Sequence, residues 1–186
     1  MRLLRGNSEG VSPEDAAFED DSGTQVCLRS DLALLATVVI AMFNQTIERV
    51  VALAILMPVV SSMGGVAGTQ NLALVLRGLV LEQVDRTNRW RLLRRELVVA
   101  AVNGVLWAAV VGALVALWFG NTTLSVVSGA AIVVNLVAGV AAGTLIPLLL
   151  HRLRVDGALA GEVLLVAFTD KFGFFVFLGM ATLSLR

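Results

Sequence analysis

The sequence predicts an all-α fold, a polytopic membrane helical bundle of about five transmembrane helices with a broken second helix. Of its 186 residues 58% are hydrophobic, and the mean hydropathy is +0.87. Several apolar runs approach or exceed the roughly 20 residues that cross about 30 Å of hydrocarbon. One run is interrupted by glycines, serines and a glutamine where an ordinary membrane helix would continue, and this interruption predicts the break.

Composition and motifs exclude several classes of function. The formal net charge is zero, so no electrostatic argument favours nucleic acid as a partner. Cys27 is the single cysteine and cannot form an intrachain disulfide. The chain has no phosphate-binding GxxxxGK[ST] loop, no His/Glu zinc pattern and no GxSxG nucleophile elbow. We therefore expect neither an enzyme nor a cofactor.

The chain divides into an acidic tail, residues 1–30, and a membrane domain, residues 31–186. Residues 6–24 combine six carboxylates with Gly, Ser and Ala, too little apolar surface to fold alone. This segment is either a featureless, disordered cytoplasmic leader or an acidic antenna for cations or basic partners. Because no apolar stretch follows Met1–Arg5, we expect the amino end to be retained rather than cleaved as a signal peptide.

The first two predicted spans are the irregular ones. The apolar run Leu32–Phe43 has about 12 residues and covers about 18 Å, less than the bilayer core. Asn44–Thr46 then predicts a turn. The second span starts near Ile47, is interrupted at Pro58–Gln70 and resumes at Leu72–Leu81, the pattern of a discontinuous helix made of two halves.

The remaining three spans are regular. They are predicted at Leu97–Phe119, Leu124–Leu150 and Gly157–Leu185. Arginines cluster after the second span, from Arg86 to Arg95, and after the fourth, at Arg152 and Arg154. The positive-inside rule places both clusters in the cytoplasm. For a multi-pass protein of the cell (inner) membrane this puts the amino end inside and the carboxyl end outside.

The glycine-rich interruption and the last span carry the candidate ion-pathway residues. Irregular backbone at membrane depth is tolerated only where protein covers it or a watery pathway passes it. The pore-lining candidates in the interruption are therefore Gly64, Gly65, Gly68 and Gln70. Val166 and Thr169, close to Asp170 in the last span, are the further pore-lining candidates.

Asp170 and Lys171 lie near the middle of the last span, where an ionisable residue marks a pathway or a buried pair. Helix neighbours point about 100° apart, so the two cannot neutralise each other directly. Asp170 is the candidate metal ligand, with Lys171 paired elsewhere, for example with Glu162 or a backbone carbonyl. The alternative is a structural ion pair, within the subunit or across a subunit boundary.

Other polar and small residues in the spans predict helix packing. Gly139 and Gly143 form a GxxxG motif, which most often marks a close helix contact. Asn103 and Asn135 are expected to form interhelical hydrogen bonds. His151 is interpreted as an interfacial charge rather than a metal ligand.

Taken together, these segments resemble the transmembrane domain of the MgtE-type magnesium channels and transporters over about residues 32–185. The resemblance rests on VALAILMPVVSSMGGVAGTQNLALVLRGL from Val51, RREL before the third span, NLVAGVAAGTLIPLLLHRL, and TDKFGFFVFLGMATL. It implies a five-span subunit that dimerises around a pore, with Asp170 at the position of the family's ion-binding aspartate. Transported Mg²⁺ is then the expected ligand.

The chain departs from the family pattern at several points. Val66 stands where the family has asparagine, Lys171 where it has an apolar residue, and Asn44 where an acidic residue is common. We expect the chain to lack the family's amino-terminal regulatory domains, and a separate regulatory protein is then a candidate partner. The first hypothesis is a homodimeric divalent-cation channel, and the alternative is a non-conducting membrane scaffold or assembly subunit of the same fold.

Overall fold

The computed structural model describes residue 34 and residues 36–81, 89–153 and 159–184. Every regular element in these ranges is helical. Residues 36–42 are helical and are followed by α1 (Asn44–Arg49), α2 (Ala52–Val80), α3 (Arg89–Phe119), α4 (Thr122–Leu153) and α5 (Leu159–Ser184). The predicted acidic tail, residues 1–30, lies outside the described residues.

Four helices in the described ranges, α2 to α5, are long and apolar enough to cross a membrane. They contain 29, 31, 32 and 26 residues. Even the shortest reaches about 39 Å at 1.5 Å per residue, more than the hydrocarbon core. The predicted first span, Leu32–Phe43, lies partly outside the described residues, so a fifth crossing stays a prediction.

The predicted break in the second span is wrong, because α2 continues without interruption through the glycine-rich segment. Gly64, Gly65 and Gly68 all keep negative φ, and the only glycine with a positive φ in the described residues is Gly120. Glycine and serine have low helix propensity, but packing against neighbouring helices overrides propensity. The glycines of α2 serve close contact with α4 and α5 rather than a change of direction.

Two predicted boundaries also differ from the structure. The expected turn at Asn44–Thr46 is instead the start of α1. α3 begins at Arg89 rather than Leu97, so Trp90 and the arginines at positions 91, 94 and 95 lie on its first turns and not in a loop. The short gap between the predicted third and fourth spans, Phe119 to Leu124, is a turn between α3 and α4. It contains Gly120 at φ 62°, and the Asn121 side chain accepts a hydrogen bond from the Leu124 amide (3.2 Å).

α2, α4 and α5 pack against one another, whereas α3 packs almost entirely on α4. The apolar core lies where α2 and α4 begin and α3 and α5 end. Its largest fully buried side chains include Leu53, Leu124, Ile132, Phe177 and Leu178. At the opposite end of the bundle α3 starts and α4 finishes, with exposed arginines on both. We call this the arginine end.

Candidate functional site

The candidate site lies where α2 crosses α5. The Ser61 hydroxyl donates a short hydrogen bond to Oδ1 of Asp170. Ser61 is 4% exposed and Asp170 is half-buried, so the carboxylate is held by α2 on one side and open on the other. The last span thus presents a carboxylate that is oriented but still accessible.

Thr169 and Gly65 form the next layer of this crossing. The Thr169 hydroxyl is fully buried and donates to the backbone carbonyls of Leu165 (3.0 Å) and Val166 (3.1 Å) of its own helix. A Cβ built on Gly65 would lie 3.5 Å from that hydroxyl, an ordinary contact distance. Gly65 is half-buried next to α5, and the Thr169 hydroxyl is used for contacts inside the subunit.

Gly64 and Gly68 point toward α4 instead. A Cβ on Gly139 would overlap the carbonyl oxygen of Gly64, and one on Gly143 would overlap that of Gly68. The two helices therefore touch backbone to backbone, and the predicted packing role of the GxxxG motif is confirmed. Gly64 and Gly68 are both buried in this contact.

Asn135 of α4 joins the three helices at one point. Its side-chain amide donates to the carbonyls of Val60 (2.7 Å) and Ser61 (3.3 Å), which confirms the predicted interhelical bond. The side chain is fully buried between Gly64 of α2 and Gly173 of α5. Its Oδ1 has no hydrogen-bond partner within the described chain. Asn103, in contrast, is exposed on α3.

The other pore-lining candidates lie on two different faces. Val166 is 38% exposed and precedes Asp170 by one helical turn, so both occupy one face of α5, which Glu162 extends toward the arginine end. Gln70 is exposed on α2, but five residues from Gly65 it is rotated by about 140° from it. The structure therefore groups Val166 with Asp170 and leaves Gln70 apart.

Lys171 occupies a separate groove. This groove has a volume of about 470 Å³ and is otherwise apolar, with lining residues Val39, Leu164, Ala167, Phe168, Phe172 and Phe175. In the described part of the chain no ion pair joins Lys171 to Asp170 or Glu162. An ion pair within the subunit is thus not formed there, and a partner across a subunit boundary stays a prediction.

Ser61 and Asn135 bear directly on the site, and sequence reasoning did not connect either with Asp170. Ser61 is 109 residues away along the chain, and only the register of α2 against α5 brings the two together. No periodicity within a single span contains that information. Within the described ranges no group of three or more His, Cys, Asp or Glu side chains could hold a metal ion. A cation at Asp170 would therefore need oxygen ligands from outside such a cluster, such as water, backbone carbonyls, hydroxyl groups or a second subunit.

The fold and the site define a polytopic helical membrane protein with one oriented carboxylate on its last crossing. The family model MgtE, described as a divalent cation transporter, matches residues 57–180. The magnesium transporter MgtE of Bacillus subtilis is 34% identical over 151 residues, which are 81% of this chain and 34% of that protein. The namesake from Thermus thermophilus is 32% identical over 77% of this chain and 32% of its own length.

A third relative, the magnesium transporter MgtE of Enterococcus faecalis, is 25% identical over 83% of this chain and 34% of its own. The chain belongs to the MgtE family, whose members are ion transporters and not enzymes. The resemblance inferred from the sequence is confirmed. The chain spans about a third of the length of the curated relatives it matches.

Proposed function

We propose that this chain forms a divalent-cation pathway, with magnesium as the transported ion, at the axis of a homodimer. The observation that carries the proposal is Asp170, a half-buried carboxylate on a membrane-crossing helix, oriented by Ser61 and without a cationic partner in the described chain. An ionisable group at membrane depth is energetically unfavourable unless it meets water, an ion or a countercharge. A hydrated divalent cation supplies the missing charge.

Two-fold symmetry supplies the missing ligands. Magnesium takes six oxygen ligands and keeps several waters, so one carboxylate is a poor site for it. A second copy related by a two-fold axis would present a second Asp170 to the same ion. The open face of α5, with Val166 one turn away from Asp170, supports this arrangement because a partner subunit can cover it. Gly65 is the glycine of α2 next to the proposed path.

The membrane potential would drive cation entry, and the arginines would set the orientation of the protein in the membrane. A divalent cation gains about 4.6 kcal/mol per 100 mV of membrane potential, twice the roughly 2.3 kcal/mol per charge, so no nucleotide is needed. The exposed arginines at positions 91, 94, 95 and 152 all lie at the arginine end. The positive-inside rule assigns that end to the cytoplasmic side of the cell membrane. With a fifth crossing, this also keeps the amino end inside and the carboxyl end outside.

The test is magnesium entry into liposomes that contain the purified protein and a magnesium-sensitive dye, with an inside-negative potential. Asp170→Asn should reduce entry at least tenfold, because the amide keeps the shape and can still accept the Ser61 hydrogen bond but carries no charge. Glu48→Gln is the matched control. It neutralises an exposed carboxylate that, among the described residues, accepts a hydrogen bond only from nearby Asn44 (2.7 Å), and it should leave entry unchanged.

Cross-linking tests the homodimer independently. In a Cys27→Ser background, Val166→Cys should form disulfide-linked dimers readily, whereas Val102→Cys, 64% exposed on α3, should not.

Undiminished magnesium entry in Asp170→Asn would contradict the ion site. A parent protein that dimerises but carries no magnesium would support the alternative function, a non-conducting membrane scaffold or assembly subunit that a separate regulatory protein could bind.

A further inference from the structure

A second groove opens between α3 and α4 at the arginine end of the bundle, away from Asp170. Its volume is about 440 Å³. Trp90 and Leu93 line it from α3, and the lining residues from α4 are Thr144, Leu145, Ile146, Leu148, Leu149 and Arg152. Leu145 and Leu149 are 53% and 57% exposed, so the floor of the groove is apolar and open.

The groove exists because close packing between α3 and α4 is confined to the rest of their length. There, Gly104 faces the Val133 backbone, and Gly112 accepts a 2.6 Å hydrogen bond from the Ser125 hydroxyl. Toward the arginine end α3 has no glycine before Gly104, and leucines occupy the facing positions. Small residues let helix backbones approach closely, and their replacement by leucine leaves space between the helices.

The rim of the groove is cationic. Arg152 lines its mouth, and the exposed Arg91 and Arg94 lie on the adjoining first turns of α3. Trp90, 70% exposed, lies beside them as an amphipathic ring of the kind found at membrane interfaces. A guanidinium binds phosphate with two parallel hydrogen bonds, which makes arginine the preferred side chain for such a ligand.

We propose that this groove binds an anionic phospholipid, with the phosphate on Arg152 and one acyl chain along Leu145 and Leu149. The positive charge of the rim favours an anionic head group, and the apolar floor favours an acyl chain. From Arg152 to Leu145 the helix rises about 10 Å, enough for the upper part of an acyl chain below the head group. The proposal does not depend on ion conduction, and basic pockets between transmembrane helices commonly recognise anionic lipid head groups.

Fluorescence quenching of Trp90 tests the proposal directly. Trp107 and Trp118 are both exposed on α3, so Trp107→Phe and Trp118→Phe together leave Trp90 as the only tryptophan. This protein is reconstituted into phosphatidylcholine vesicles with increasing fractions of phosphatidylglycerol carrying brominated chains. We expect Trp90 to be quenched at least fivefold more strongly than by brominated phosphatidylcholine at the same mole fraction. A free anion cannot produce this signal, because the quencher is on the acyl chain.

Two arginine variants then distinguish a specific lipid-binding site from a general effect of positive surface charge. Arg152→Gln should reduce the preference for the anionic lipid about fivefold, since each basic residue near such a surface contributes roughly that factor. Arg95→Gln is the matched control, because it removes the same charge two residues from Leu93, about 200° around the helix from the groove. Equal quenching by the two brominated lipids, or equal loss in both variants, would overturn the proposal.

Discussion

Two contacts of α2 differ in what they do, although both are built from its small residues. Against α4, Gly64 and Gly68 meet Gly139 and Gly143 backbone to backbone, and the Asn71 side chain donates to the Val140 carbonyl (3.0 Å). Against α5 the contacts are made by side chains: the Ser61 hydroxyl bonds Asp170, and Gly65 lies next to the Thr169 hydroxyl. The first contact is buried, whereas the second leaves the Asp170 carboxylate half-buried and accessible.

The two contacts therefore have different roles along one helix: one stabilises the fold, and the other positions the candidate ion ligand. Lipid does not drive helices together as water does, so association depends on close packing and on satisfied polar groups. The α2–α4 contact meets both requirements and fixes the register of the bundle. The α2–α5 contact can then hold Asp170 at a position that is unfavourable for an isolated helix. We infer that substitutions in the first contact act mainly on folding, and those in the second mainly on ion binding.

The largest effect is expected for Gly139→Ala. The added Cβ would overlap the Gly64 carbonyl, and backbone cannot rotate away as a side chain can. We expect a loss of about 3 kcal/mol in the free energy of unfolding, the upper range for overpacking. Unfolding in detergent by added denaturant is the measurement. Gly179→Ala is the control, because a Cβ there meets nothing within 4 Å. Equal stability of the two variants would refute the close contact.

A smaller loss is expected for Asn135→Ala. The substitution removes the bonds to the Val60 and Ser61 carbonyls and leaves a space between Gly64 and Gly173. Interhelical hydrogen bonds in membranes contribute about 1 kcal/mol, and the unpaired Oδ1 of Asn135 reduces the net loss. The same unfolding measurement on Asn103→Ala, an exposed asparagine, should show no change. Comparable losses would mean that the buried network is not specific.

Much of this comparison was predictable from sequence, and the remainder depends on register. The membrane class and three of the spans follow from apolar runs whose length the bilayer dictates. The GxxxG contact and the Asn135 bond follow from the rule that small and polar residues face other helices. The residues Gly64 to Gly68 show where this reasoning fails. Their composition predicts a break in the helix. The same composition is also required where a continuous helix packs closely against the backbone of another helix, which is what the structure contains.

Ser61 shows the second reason for failure. Its partner Asp170 lies in the last span, and a hydrogen bond between them requires the relative sliding of α2 and α5 to be known to within one residue. Local propensity carries no such information. The contacts of Gly65 with Thr169 and of Gly68 with Leu165 fix that register, and they become visible only when the helices are assembled.

Ser61→Ala should act on ion binding rather than on folding. Without the hydroxyl the Asp170 carboxylate can adopt other rotamers, so we expect the apparent magnesium affinity in the liposome assay to fall about fivefold, or about 1 kcal/mol. The maximal rate should change less. Ser62→Ala is the matched control, because the Ser62 hydroxyl is exposed and, within the described ranges, donates only to its own helix, at the Val59 carbonyl (3.3 Å). An unchanged affinity in Ser61→Ala would exclude a positioning role.

The smallest effect is expected for Lys171→Leu, although Lys171 is adjacent to Asp170 in sequence. Adjacent helical side chains diverge by about 100°, and Lys171 lines the groove with Phe168, Phe172 and Phe175 rather than the Ser61 side of α5. Its charge therefore acts on a bound cation from a distance, and we expect magnesium affinity to rise by no more than about twofold, as for weakly coupled charges. Titrating magnesium entry for Lys171→Leu and Lys171→Arg is the measurement, with Lys171→Arg keeping the charge. An increase of tenfold or more in Lys171→Leu alone would show that Lys171 faces the ion and that the two faces of α5 are not independent.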